Sequence, residues 1–179
     1  NTFLAKATSV TANTEATQAE ADKLGGFEKA VAYSINDEAS KIHNGSEKGR
    51  NEAINIVVSD AATFEFAKTI NNSSNSNNTS YNIEDTGANL ASIQSEDSVV
   101  LNNAGSVTVK GTALASEAED IAKYVRQITY NLFDSAENIA NASDIVRNKA
   151  VNINASTSAN VAEATKINNS KNNENGGIN

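Results

Sequence analysis

The chain has 179 residues, a formal net charge of −8 and a pI near 4.7, and it contains no Pro, Cys, Met or Trp. Without Cys there is no disulfide framework, thiolate zinc site, iron–sulfur cluster or cysteine nucleophile, and a lone His43 rules out a multi-histidine metal site. The acidic balance argues against nucleic-acid binding, which needs a basic face, and apolar runs of four residues or fewer are too short for a membrane-spanning helix.

Asn and Ala each occur 28 times, far above globular averages. The chain starts at Asn1, with no basic segment leading into an apolar one, and lacks internal Met. The expectation is a processed product or a piece of a longer protein. Length fits one domain, expected over 1–167. The stretch 71–80, NNSSNSNNTS, reads as a polar surface loop, and 168–179, NNSKNNENGGIN, as a disordered tail or linker. Neither holds enough apolar surface to offset the entropy of ordering.

In chain order, two signatures alternate. The first reads Tyr33-Ser-Ile-Asn-Asp37, Tyr81-Asn-Ile-Glu-Asp85 and Tyr130-Asn-Leu-Phe-Asp134. Three of the four tyrosines thus recur at one position, 48 and 49 residues apart, and an aliphatic residue follows each Asp by five: Ile42, Leu90 and Ile139. The second reads Ile56-Val-Val58-Ser-Asp60, Val107-Thr-Val109-Lys-Gly111 and Val151-Asn-Ile153-Asn-Ala155, with an earlier copy at Val10-Thr-Ala12. Small residues precede three of these (Ala5, Ala53, Ala104) and aliphatics follow (Leu24, Ile70, Ile121, Ile167). Half-repeats of about 24 residues therefore pivot near 12, 37, 60, 85, 111, 134 and 155.

Each half-repeat alternates apolar and polar residues over four or five Val- and Ile-rich positions, the pattern of a short strand. An Asp, Ser or Thr comes next and is expected to cap the helix that it opens. Asp134-Ser-Ala-Glu137 has capping-box spacing. Ala113, Ala118, Ile121, Ala122 and Val125 then show helical spacing. A strand–helix unit this short cannot bury its own face and must stack on neighbours. The expected fold is α/β, a solenoid of about seven strand–short-helix coils with a parallel sheet, a rod on the order of 35 Å. An all-α antiparallel bundle, suggested by the Ala, Glu and Lys content, is the alternative, and an open non-repeating βαβ sheet a further one.

Asp37, Asp60, Asp85 and Asp134 are calcium-ligand candidates, since calcium takes several carboxylate and carbonyl oxygens. Helix capping is the competing role, and Gly111 and Ala155 would interrupt a ligand ladder. No glycine-rich nonapeptide or EF-hand loop accompanies them. No other cofactor is expected. His43 is expected to cap a helix end. Tyr33, Tyr81 and Tyr130 are read as a packed column in the repeat, a sugar-stacking surface being the alternative. The triplets at Asn44, Asn71, Asn72, Asn77, Asn78, Asn141, Asn154 and Asn168 match the glycosylation pattern, as expected by chance in so Asn- and Ser-rich a chain.

The stretch Tyr-Asn-Ile-Glu-Asp-Thr-Gly-Ala-Asn-Leu-Ala (81–91), followed by Ala-Gly-Ser-Val-Thr-Val-Lys-Gly-Thr-Ala (104–113), resembles the "Y-x-I-x-D-T-A-A-N-L … A-x-x-V-x-V-x-G/D-x-A-T" repeats of large secreted bacterial surface proteins, namely S-layer proteins and type I-secreted adhesins. The resemblance extends over 33–167, with partial copies at Asp37-Glu-Ala-Ser and Asp134-Ser-Ala-Glu-Asn-Ile. It implies an extracellular, cell-surface location and a structural or adhesive role, and it brings no catalytic residues.

The expected function is a non-enzymatic spacer and self-assembly module of a surface-layer or adhesin protein, its partners being neighbouring domains or copies of the same protein. A glycan- or receptor-binding solenoid is the alternative, with a surface glycan as ligand. A lyase-like enzyme would need clustered carboxylates with Lys or Arg on one face, and the acidic residues are spread evenly instead.

Overall fold

The strands alternate with helices along the whole chain, and every described strand pairing is parallel. The structure is a computed structural model, and it describes residues 9–27, 30–75, 78–124 and 127–170. The architecture is α/β, so the all-α bundle is not what forms. Contacts divide the chain into two compact units, Asn1–Ile83 with Asn103–Gly105, and Glu84–Asn102 with Ser106–Asn179.

The first unit contains α1 (Gln18–Leu24), β1 (Ile35–Asp37), α2 (Ala39–Asn44), α3 (Glu47–Glu52), β2 (Ile56–Ala62), α4 (Phe64–Asn71) and most of β3 (Thr79–Asp85). Strand order follows chain order, β1-β2-β3. Ile35 stands beside Ile56, and Ile56 beside Thr79. Thr11 and Ala16 make isolated parallel bridges to Ala32 and Ile35, so the chain before α1 follows the same course.

The second unit contains α5 (Gly87–Ala91), a 3-10 turn at Ser95–Asp97, most of α6 (Ser98–Asn103), β4 (Val107–Ala113), α7 (Ala115–Ala122), β5 (Thr129–Asp134), α8 (Ala136–Asn141), α9 (Asp144–Lys149), β6 (Ile153–Ala155) and α10 (Val161–Asn168). Its strands again follow chain order, β4-β5-β6, with Thr108 beside Thr129 and Leu132 beside Ile153.

Each strand with the helical segment after it forms a coil. The helices have five to eight residues, below the length at which an isolated helix holds in water. Burial of a narrow apolar stripe sustains them. Ala39 and Ile42, Ala67 and Ile70, Ala118 and Ile121, and Ala136 and Ile139 are 0–1% exposed. Small residues on that stripe let successive helices approach closely.

Two kinds of coil occur. After β1 and β5 the helical segment is split in two, at Gly45-Ser46 and at Ala142-Ser143. After β2 and β4 it is one eight-residue helix. The strands of this second kind are bulged, between Val57 and Ala61 and between Thr108 and Thr112. Gly111, in the β4 bulge, takes a positive φ of 78°. Only glycine holds that conformation without strain.

Several local expectations need correction. Ala113 ends β4 rather than lying in the following helix. Val125, Ala5 and residues 171–179 lie outside the described residues. The stretch 71–80 is less of a loop than its composition suggests: α4 runs through Asn71, β3 starts at Thr79, and Asn71 and Ser73 are buried. Helix α10 likewise runs into the expected tail as far as Asn168.

Candidate functional site

The pivot residues make recurring polar contacts. Asp37 Oδ2 accepts from the Gln18 amide at 3.0 Å and Oδ1 from the Glu38 amide at 2.9 Å. Asp134 repeats this with the amides of Ala115 (3.0 Å) and Ser135 (2.7 Å), and adds the Asn138 side chain at 2.8 Å. Asp60 Oδ1 accepts from Ala39 N–H at 2.7 Å. Asp85 Oδ1 accepts from the Thr86 amide at 2.8 Å and from Asn89 Nδ2 at 2.7 Å.

Gln18, Ala39 and Ala115 are the first residues of α1, α2 and α7. Asp37, Asp60 and Asp134 therefore each satisfy a free helix-start amide on the preceding coil. Glu38, Thr63, Thr86, Leu114 and Ser135 occupy the N-cap positions of α2, α4, α5, α7 and α8. The expected capping box at Asp134–Glu137 is replaced by Ser135 Oγ accepting from the Asn138 amide at 3.1 Å. At the last pivot, Thr157 Oγ1 rather than Ala155 does the bonding, accepting from Ala136 N–H at 3.0 Å.

Burial pushes the Asp37 carboxyl up, but the Gln18 and Glu38 amides and Lys41 outweigh it and hold it below the usual carboxylate range. Asp134 behaves alike, its burial outweighed by Asn138, Ala115 and Ser135. A carboxylate fixed by amides is stabilised in its charged form.

Tyr33, Tyr81 and Tyr130 are 1–2% exposed. Tyr33 Oη donates to the Gly49 carbonyl and Tyr130 Oη to the Val146 carbonyl, both at 2.8 Å and both sixteen residues ahead. Tyr81 Oη bonds Asn71 Oδ1 at 3.2 Å. Burial pushes Tyr33 and Tyr81 up to about 12, with Glu52 and Asp22 adding to the effect at Tyr33, and it pushes Tyr130 up further. No tyrosine of this set presents a face for sugar stacking.

Two arginines escaped the sequence reading. Arg50 is 8% exposed, and its Nη1 donates to the carbonyls of Ile42 (2.8 Å), His43 (3.3 Å) and Gly45 (2.6 Å). Arg147 is 7% exposed and donates to the carbonyls of Ile139, Ala140 and Ala142, with Asp144 at its Nη2. Each guanidinium closes the C-terminal end of the first helix in a split coil, where free carbonyls collect. The signal lay in their shared offset, seventeen residues after Tyr33 and after Tyr130. The middle copy has Ser98 there. Asp22 and Glu119 play a second recurring part: each accepts from the amide and hydroxyl of the serine that starts the second helix, Ser46 and Ser143.

His43 lies at the C-terminal turn of α2, half-buried, with Nδ1 2.9 Å from Thr69 Oγ1 and its ring 4.6 Å from that of Phe66. The Thr69 hydroxyl in turn donates to the Glu65 carbonyl of its own helix at 3.3 Å. A cleft of about 350 Å³ in the second unit is lined by Ser116, Glu119, Asp134, Asn138 and Asn141. Both of its carboxylates already accept the bonds given above. Among the described residues no group of three or more His, Asp or Glu side chains is placed to hold a metal ion, and no helix is long and apolar enough to cross a membrane. Comparison of the sequence with protein-family models, with curated proteins and with solved structures finds no match.

Proposed function

We propose that the chain is a non-enzymatic extracellular module of a bacterial surface-layer or adhesin protein, serving as a spacer and self-assembly unit. One observation carries this reading. The recurring polar residues, Asp37, Asp60 and Asp134 above all, direct their oxygens to the backbone of the adjoining coil, so the chemistry of the chain serves coil-on-coil stacking. A seven-coil solenoid over 1–167 extends the arrangement found in each unit, and its exposed strand edges would provide contacts with neighbouring domains or copies.

Sedimentation velocity over a wide concentration range, with calcium and with chelator, tests it. Concentration-dependent association is expected. A strictly monomeric chain in both conditions overturns the self-assembly role. Association in calcium alone would turn the pivots back into ligand candidates. The glycan- or receptor-binding alternative draws no support from the tyrosines, which are buried and hydrogen-bonded.

A further inference from the structure

Four helices, α1, α2, α7 and α8, have their first residue packed beneath the coil that follows. Gln18, Ala39, Ala115 and Ala136 are 2%, 1%, 4% and 0% exposed. Their amides donate to a side chain of that following coil, to Asp37, Asp60, Asp134 and Thr157 in turn, at 2.7–3.0 Å. Val161, the first residue of α10, is 86% exposed. No acceptor meets its amide among the described residues. Ala164 is exposed where its counterpart in α7, Ala118, is fully buried. Strand β6 ends its strand order and is paired with β5 on one side only, among the described residues. One face thus combines an open strand edge, a free helix-start amide and an uncovered apolar helix surface.

The interface missing from this face is the one already made twice on single-helix segments. Helix α1 is covered by the β1 coil and α7 by the β5 coil, both of the split-helix kind. Both bring a strand with an apolar residue and an Asp two positions on, Ile35-x-Asp37 and Leu132-x-Asp134. We propose that the β6–α10 face docks one further split-helix coil. Its strand would add in parallel to β6, its Asp would take the Val161 amide, and its first helix would cover Val161 and Ala164. This rests on the reading of the chain as an assembly module and names the partner. The first described coil of a second copy does not fit the role, because it carries the single helix α1 rather than a split pair.

The test replaces residues 171–179 of the full chain by a second copy of 125–152. The register is right because α10 ends at Asn168 as α7 ends at Ala122. A companion carries Asp134→Ala in the added copy only. Amide hydrogen exchange at Ile153, Ala155 and Val161 is read, with Leu132 as the check that the parent fold is intact. Exchange slowed by about tenfold or more at all three is expected, with the Val161 protection lost in the companion. Unchanged exchange, or Val161 protection that survives loss of the carboxylate, overturns the proposal. The natural chain titrated with a peptide of residues 127–150 at millimolar concentration gives a second reading. Shifts of the Ile153, Ala155 and Val161 resonances support the proposal. Because these readouts are local, a monomeric chain that accepts the coil sinks self-assembly alone, and an associating chain that refuses it sinks this proposal alone.

Discussion

The Asp134 carboxylate accepts a hydrogen bond from the amide of Ala115, nineteen residues earlier, at 3.0 Å. Asp37 stands in the same relation to Gln18, at the same separation and distance. One side chain thereby joins two coils through a group that either helix would otherwise leave unsatisfied.

Asp134→Ala should therefore cost about 1–2 kcal/mol of stability, the scale of a lost helix-start cap. Asp134→Asn keeps one amide-accepting oxygen and should cost less. Urea denaturation of the two variants beside the natural chain checks the order. Equal stability of all three would remove the capping role.

Acid should act through the same groups. Both Asp37 and Asp134 titrate below their unfolded value of about 3.9. Their contribution is complete above that pH and is lost as pH falls through the folded values. Stability followed between roughly pH 4 and pH 2 should fall less steeply in an Asp37→Asn, Asp134→Asn double variant than in the natural chain.

Arg147→Leu removes the donor from three backbone carbonyls at once and should cost about 3 kcal/mol, as should Arg50→Leu. Arg147→Lys should recover part of this, since an ammonium cannot reproduce the guanidinium fork. Thermal unfolding of the three variants measures it, and a Lys variant as damaged as Leu would show that shape rather than charge matters.

Tyrosinate absorbance should report the buried column. Tyr33 and Tyr81 should stay protonated until about pH 12, and Tyr130 beyond that. Their raised values mean that stability is fully present below the unfolded value of about 10 and is lost as pH rises through the folded ones. Alkaline titration should show these tyrosines ionising together with unfolding. Smooth ionisation near pH 10 with the fold retained would place the rings at the surface.

Gly111→Ala should cost about 1 kcal/mol through its positive φ alone, since the space around an added methyl is open. Gly111→Asn should cost less, Asn tolerating the left-handed region better. Denaturant midpoints of the two variants rank them. A larger loss for Asn would mean that the bulge is governed by something other than backbone conformation.

Much of the local structure was legible. Tyr81 and Tyr130 lie on β3 and β5, Tyr33 stands two residues before β1, and Ile42, Leu90 and Ile139 mark the buried side of the helices, because period-two and helical spacing are local properties of the chain. The bond partners were not legible. Asp134 reads as the start of its own helix, yet it serves α7. Arg147 stands in sequence beside polar Asn148 and near Asp144, yet it is buried on the carbonyls of Ile139, Ala140 and Ala142. Nothing in the residues beside either one announces a partner on another segment.

The sequence by itself determined the alternation of strand and short helix, the near-24-residue step and the absence of thiol or multi-histidine chemistry, since each follows from residue type and spacing along the chain. Only the tertiary structure decided which amide each Asp satisfies, where the helical segments split, and that Val161 stays exposed while Ala115 is buried. Those outcomes depend on which coil lies against which, and a helix of six to eight residues takes its stability and its caps from that neighbour rather than from itself.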